Sequence, residues 1–486
     1  MKTLHTLPAQ ARWYLIGLAL CGAVGCGSEK KPQPVPDGAQ VLLTDGDRLL
    51  PNFEILSIES ANMAADRSIS FIASRTGTDS LNGVFFRTPT GQIRSILSPG
   101  SALAGDLPLT RIRKLNMAQS GQFAFSVGDQ LDDNAIFYSD GTRTSLIATT
   151  ESEEPLPDFR IAGELRVEEG GVLAFSDGSN PCSVDTSGAV QRTRCRLRLQ
   201  YGPAGDVTEV AVPNDLDGQN PTAIILQLNE RNQAAVGLPA RGEEPYVGIL
   251  DQGIFTGILF RRETLPEYGV LTNAKPRAMG KDGTIAIDGD FDTDGDSDRD
   301  VERVLRYRSG GLDLAASTGD EVPFGQKEII DLNAVAVDDL GRMYYIAEFL
   351  GGGEERDLLR VWDGTTNTDI IWQRKRYGGE AEMGQELEIT EIFQTRVYGD
   401  GTVLMVVSLG FYEEGTRRIT SRQLLRWKDG KLDTLLESKA TIGDGTLVGF
   451  QIADLNSSGD LLLIAEINVR ANRALLLLPR EDVLLP

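Results

Sequence analysis

The stretch that decides the fold is Gly121–Phe125, GQFAF, because it returns along the whole chain. It reads RSISF at Arg67, GVLAF at Gly171, NQAAV at Asn232, GTIAI at Gly283, GRMYY at Gly341, GTVLM at Gly401 and GDLLL at Gly459. The eight copies start 50 to 61 residues apart. A period of that size marks a modular array.

Residues 159–210 give the module in one pass. An alternating run at Phe159–Val167 is followed by the turn EEGG, and Val172–Phe175 is a short apolar strand. Arg196–Tyr201 alternates again, GPAGD turns the chain, and Val207–Val210 makes a fourth strand. Short alternating segments between Gly/Asp/Asn turns argue for antiparallel sheet rather than helix. Third strands recur at Gly83–Arg87, Ala135–Tyr138, Val304–Tyr307, Leu358–Trp362 and Leu424–Trp427. Several run into Asp-Gly (Asp140-Gly141, Asp363-Gly364, Asp429-Gly430), a pair suited to tight hairpins because Gly tolerates positive φ. No segment reads as a helix.

The chain ends bear on closure. The last copy supplies Val448–Ile452, Leu461–Ile464 and Ala474–Leu478 and then lacks a fourth strand. Gln40–Leu43 precedes the first module and has none of its own. It is followed by TDGDRLLP, much as Thr318–Pro323 follows Asp313–Ala316. The economical expectation is that Gln40–Leu43 completes the last sheet, which protects the sheet edges. The fold expected is therefore all-β, an eight-bladed β-propeller of four-stranded antiparallel blades over 40–486, with seven blades as the rival. The module is similar to bacterial periplasmic propeller repeats reading SPDG-x-x-IAF. It is more similar to exported tandem repeats named for Asn-x-x-Gly-x-x-Ala-Phe, which Asn116–Phe125 and Leu455–Gly459 approach. The resemblance spans nearly the whole chain from about residue 40, and implies fold and export rather than an activity.

Of 486 residues, 48 are basic and 71 acidic, a net charge of −23 that opposes nucleic acid and anionic membrane surfaces. The first 25 residues read as a signal: Lys2 and Arg12, then the apolar run WYLIGLAL at Trp13–Leu20, too short to span a bilayer. Ala23-Val24-Gly25-Cys26 resembles a bacterial lipoprotein signal, which implies that Cys26 is acylated and becomes the mature N-terminus. An ordinary secretory signal is the alternative. More than one acyl chain anchors a protein stably. Gly27 after the Cys resembles lipoproteins sorted to the outer membrane, and 26–39 reads as a Pro-rich tether. Cys182 and Cys195 flank a turn-forming stretch and are expected to form a local disulfide.

One segment stands out chemically, Asp288–Glu302 (DGDFDTDGDSDRDVE). Asp290, Asp292, Asp294, Gly295 and Asp298 match Asp-x-Asp-x-Asp-Gly-x-x-Asp and resemble the calcium loops of integrin-type propellers. Ca²⁺ takes six to eight oxygen ligands, and alternating carboxylates can wrap it. One Ca²⁺ is expected on Asp290, Asp292, Asp294 and Asp298, with the Asp296 carbonyl. Val301 stands where an EF-hand requires Glu. A solvated acidic loop is the alternative.

Further acids sit between second and third strands: Asp129, Asp132 and Asp133; Glu354, Glu355 and Asp357; Glu413 and Glu414. These connections share a propeller face with the blade-to-blade connections, so that face is expected to be acidic. The sole histidine, His5, lies in the signal, which removes His-based triads and His-ligated metal from the mature chain. No Gly-x-Ser-x-Gly or phosphate-binding Gly-rich motif is present. Trp362 and Trp427 hold a repeated third-strand position and are expected to pack between blades. The expectation is a monomeric, non-enzymatic binding or scaffold lipoprotein of the outer membrane with a protein or glycan partner and no nucleic acid. A carboxylate-based hydrolase or lyase acting on a glycan is the alternative.

Overall fold

The structure is a computed structural model. It describes residues 35–484 apart from 37, 51–52, 76–81, 99–110, 129–132, 150–158, 161–164, 180–195, 205, 211–223, 226–228, 230, 239–244, 297, 323–326, 352–353, 381–385, 414–415, 443–444 and 469–471. The described strands form eight antiparallel sheets. Each is one blade: blade 1 at 53–97, blade 2 at 111–149, blade 3 at 165–210, blade 4 at 224–260, blade 5 at 269–317, blade 6 at 327–372, blade 7 at 386–437 and blade 8 at 445–478.

The blade follows from its turn. Ahead of the repeated second strand, Asn229 Oδ1 accepts from the Arg231 and Gln233 amides, each at 2.9 Å. Asp338 Oδ1 accepts from Leu340 (3.0 Å) and Arg342 (2.9 Å), and Asn456 Oδ1 from Asp460 (2.8 Å). These side chains stand in for backbone acceptors, which is why Asn and Asp recur there. The turn residue just ahead of the second strand is left-handed: Gly121 at φ 92°, Gly341 at φ 76° and Gly459 at φ 93°, with Arg67 (69°) and Asn232 (60°) where the Gly is lost.

The seams between blades form the core. Phe71 and Phe85 of blade 1 pack with Leu462 and Leu475 of blade 8, while Phe123 and Phe125 of blade 2 pack with Val84 and Phe86 of blade 1. Blades 7 and 8 share Leu404, Val406, Phe450 and Leu463. Burying one such side chain contributes roughly 1.5–3 kcal/mol. Trp362 closes the seam between blades 5 and 6, and Trp427 that between 6 and 7, as expected.

Closure also follows the sequence. Gln40–Thr44 runs antiparallel to Asn472–Leu478, with Val41 opposite Leu476, and is the fourth strand of blade 8. The turn behind it matches that before blade 6. The Gly46 amide donates to the Ile55 carbonyl and Thr44 to the Asp47 carboxylate, just as Gly319 donates to Ile329 and Ser317 to Asp320.

The expectation of no helix needs correcting. Arg480–Leu484 is a short helix, and its Val483 and Leu484 are buried in the seam of blades 7 and 8. Arg426 Nη1 donates to the Val483 carbonyl at 3.0 Å. Five residues are too few to show a helical period, and packing rather than propensity holds them. Glu169–Gly171, read as a plain turn, is a 3-10 turn.

Candidate functional site

Antiparallel order places the second-to-third connections and the blade-to-blade connections at one end of the ring, the end where the first strands begin. Two acidic groups lie there, in blades 5 and 6.

The blade-5 group is the loop after Ile285–Asp292. Ligand oxygens of Asp292, Asp294 and Asp300 lie within 4.8 Å of one another, so this triad could hold a metal. Asp292 is buried, and Asp294 and Asp300 are exposed. Backbone amides shape the loop: Asp292 Oδ1 accepts from Gly295 at 2.6 Å, and Asp300 Oδ2 from Thr293 at 2.6 Å. That amide, with the Thr293 hydroxyl, holds the Asp300 carboxyl below the usual range. Gly295 takes the sharp turn at φ 90°.

The other residues expected to bind the ion are placed differently. Asp290 faces Asn273 Nδ2 (3.0 Å) and Arg299 Nε (3.2 Å). Asp294 Oδ1 accepts from Asp296 at 3.1 Å, and Asp296 Oδ1 from Asp298 at 2.8 Å, so the loop continues as stacked turns. Asp300 was not among the expected ligands. It lies past the end of the nine-residue pattern, and the return into the strand Val301–Arg308 brings it back beside Asp292.

The blade-6 group is a row across three strands. Asp331 pairs in register with Glu348, and Glu348 with Asp357. Like charges directly opposed across strands destabilise a sheet. Burial pushes the Glu348 carboxyl up, and Asp331, Asp357 and Glu355 push the same way. Burial also raises Asp357, helped by Glu391 of blade 7 and opposed by the Gln373 amide at 2.9 Å. From blade 5, Glu302 joins the row, and its Oε2 accepts from the Leu332 amide at 3.1 Å while Asp331 Oδ1 accepts from that same amide at 2.9 Å. Burial raises the Glu302 carboxyl, and its hydrogen bond with Asp331 raises it further.

The remaining acids expected on this face divide. Glu354 is tied to Arg374 at 2.7 Å, while Glu355 is exposed. Glu391, which was not among those expected, is paired with Arg417 at 2.8 Å. Asp133 opens the third strand of blade 2 and Glu413 ends the second strand of blade 7. Asp129, Asp132, Glu414, Cys26, Cys182 and Cys195 lie outside the described residues. Among the described residues no helix is long and apolar enough to cross a membrane.

No protein-family model matches this chain. No curated protein matches it either. Among solved structures, it is similar to the β-propeller domain of the Trilobed protease from Pyrococcus furiosus (12% identity, TM-score 0.39, covering 79% of this chain and 96% of that one). It is also similar to an oligogalacturonate lyase from Vibrio parahaemolyticus (11% identity, TM-score 0.40, 92% and 98%). Pyrococcus horikoshii acylaminoacyl peptidase is similar over 85% of this chain and 57% of its own (12% identity, TM-score 0.38). At these scores the similarity adds nothing to what the sheet topology establishes: the chain is an eight-bladed β-propeller closed by its own N-terminal strand.

Proposed function

We propose that this chain is an exported binding propeller, anchored by lipid at Cys26, that offers the acidic end of blades 5 and 6 to a basic partner surface. The observation that supports this best is the row Asp331, Glu348 and Asp357, directly opposed carboxylates for which, among the described residues, no ion pair with a base is found. Such a row gains most when an outside cation joins it. A Lys-rich peptide should therefore bind, more weakly as salt rises. No binding at low ionic strength would overturn the reading. In blade 5 the proposed ion is Ca²⁺, anchored by Asp292, Asp294 and Asp300, with the loop carbonyls completing an oxygen shell. For the anchor, Cys26→Ser should release the protein from the detergent phase, and wild type should carry acyl chains on Cys26. A mature wild-type N-terminus elsewhere would remove that part.

One observation favours a second reading. Glu302 and Asp331 converge on one amide, and burial together with the hydrogen bond to Asp331 raises the Glu302 carboxyl, which sets a carboxyl that holds its proton more tightly beside a second carboxyl. That arrangement suits acid–base cleavage of a glycan. Glu302→Gln should abolish any release of reducing ends or unsaturated products. If no glycan is turned over by wild type, the pair is structural.

A further inference from the structure

One outer strand lacks the guard that its counterparts carry. Blades 4 and 7 turn from third to fourth strand in the same register, with Asp251 opposite Ile254 and Lys428 opposite Lys431. Their outer strands therefore align residue for residue, Ile254–Phe260 (IFTGILF) with Lys431–Glu437 (KLDTLLE). Both place the extra residue at the same point, Ile258 and Leu435, and their exposed and covered positions agree over the first six residues. Where blade 7 exposes Lys431 and Asp433, blade 4 exposes Ile254 and Thr256, and Phe260 stands in the place of Glu437.

Charge at this place is usual in the repeat. Asp313, Asp369 and Asp433 lie on the outer strands of blades 5 to 7, paired with Arg306 (2.8 Å), Arg360 (2.6 Å) and Arg426 (2.9 Å) of the third strands. Arg94 and Glu209 charge the outer strands of blades 1 and 3. Blade 4 lacks both halves of the pair, with Ile249 opposite Thr256. The outer strands of blades 2 and 8 are uncharged too, but they are shorter and begin and end on Gln or Thr.

An edge strand offers its outward N–H and C=O groups to any strand that can approach, and charge on the edge guards against this. Among the described residues, Ile254–Phe260 pairs with Pro245–Asp251 alone. Ile254 is 69% exposed and Phe260 40%.

The occupant that fits this edge is a second copy of the chain. A two-fold, antiparallel pairing centred on Thr256 sets Ile254 opposite Ile258 of the other copy, with Phe260 diagonal to Ile254. The same register sets Asp251 opposite Arg261 at both ends. Apolar side chains meet apolar ones and opposite charges meet at the ends, so the strand complements itself, as a two-fold interface requires. The Phe260 amide donates to Glu263 Oε2 at 3.0 Å, which ends the pairing there.

We propose that the chain, read from its sequence as a monomer, pairs with a second copy through the outer strand of blade 4, joining two propellers edge to edge. The pairing uses none of the acids of blades 5 and 6, so it stands whether or not they receive a partner.

The test is sedimentation velocity of the full chain in ~0.15 M salt, where repulsion between two acidic copies is screened beyond roughly 8 Å. Wild type should pass from monomer to dimer as concentration rises. Amides within 254–260 should gain hydrogen-exchange protection over the same range. Thr256→Asp, which opposes like charges at the two-fold axis, should weaken the dimer at least about 10-fold, and so should Ile254→Lys. Thr256→Ser should dimerise as wild type does. A wild type that stays monomeric at every concentration overturns the proposal and needs no variant. A dimer whose 254–260 amides exchange as fast as in the monomer, or one that Thr256→Asp and Ile254→Lys leave intact, overturns it as well.

Discussion

At the scale of single residues, the chain was legible wherever one residue type answers one backbone demand. Asn229, Asp338 and Asn456 cap the turn, and Gly121, Gly341 and Gly459 take the left-handed φ behind it. Two demands three residues apart make a motif that survives at Asn229–Asn232, where Asn replaces the Gly. The acidic loop of blade 5 was legible only in part. Alternating Asp residues point to a site that could hold an ion, but which carboxylates converge depends on where the loop returns. Asp300 comes back beside Asp292, and Asp290 faces Asn273 and Arg299 instead. This difference is testable. If the proposed ion binds the folded loop, calcium should raise the Tm of wild type. Asp292→Ala with Asp294→Ala should abolish the rise, and Asp290→Asn should keep it. Calorimetry with no calcium heat at millimolar concentration, and a melt unchanged by chelator, would leave a solvated loop.

At the scale of strands, alternation identified the elements but not their register. Described first strands of five blades carry an extra residue in two places, as at Leu56 and Glu59, Ile330 and Val335, or Thr390 and Phe393. A bulge bends the strand and re-aims side chains, yet it does not disturb hydrophobic alternation enough to be seen in sequence. The row Asp331, Glu348 and Asp357 depends on such a register and was invisible for that reason. It makes its own prediction. Glu348 is raised by burial first and by neighbouring carboxylates second. The folded blade therefore binds a proton at Glu348 more tightly than the open chain does, and the stability this adds is lost as pH rises through the raised value. Glu348→Gln should stabilise the protein at pH 7.5 by up to about 1 kcal/mol, discounted for partial exposure, and should narrow the gain seen on acidification. Urea midpoints at pH 5 and pH 7.5 measure both. A variant less stable at pH 7.5 than wild type would show that the row is already neutralised.

At the scale of the whole molecule, closure was legible because a missing strand at one end matched a spare strand at the other. Gln40–Thr44 supplies the fourth strand of blade 8, and the eight seams follow. Removing 27–45 should lower the Tm of the whole ring by several degrees or more, while removing 27–36 should leave it nearly unchanged. Equal melting of both truncations would mean that the edge strand adds nothing to closure. The proposed partner surface was the least legible feature, because it depends on which acids face a base. Glu354 and Glu391 have Arg partners, while Glu348 is surrounded by further acids.

The most direct measurement is therefore of place rather than of charge. A fluorescent Lys-rich peptide is titrated with wild type and with two variants that each remove the same number of negative charges. One is Glu348→Gln, Glu355→Gln and Asp357→Asn, on the blade-6 row. The other is Asp313→Asn, Asp339→Asn and Asp429→Asn, at the opposite end of the blades, where the hairpins between third and fourth strands lie. The account predicts that the blade-6 variant weakens binding at least about 10-fold at low salt, the equivalent of about 1.4 kcal/mol, while the control stays near wild type. Equal loss in both variants, or greater loss in the control, would contradict it: the chain would then attract cations by net charge alone, with no face built for a partner.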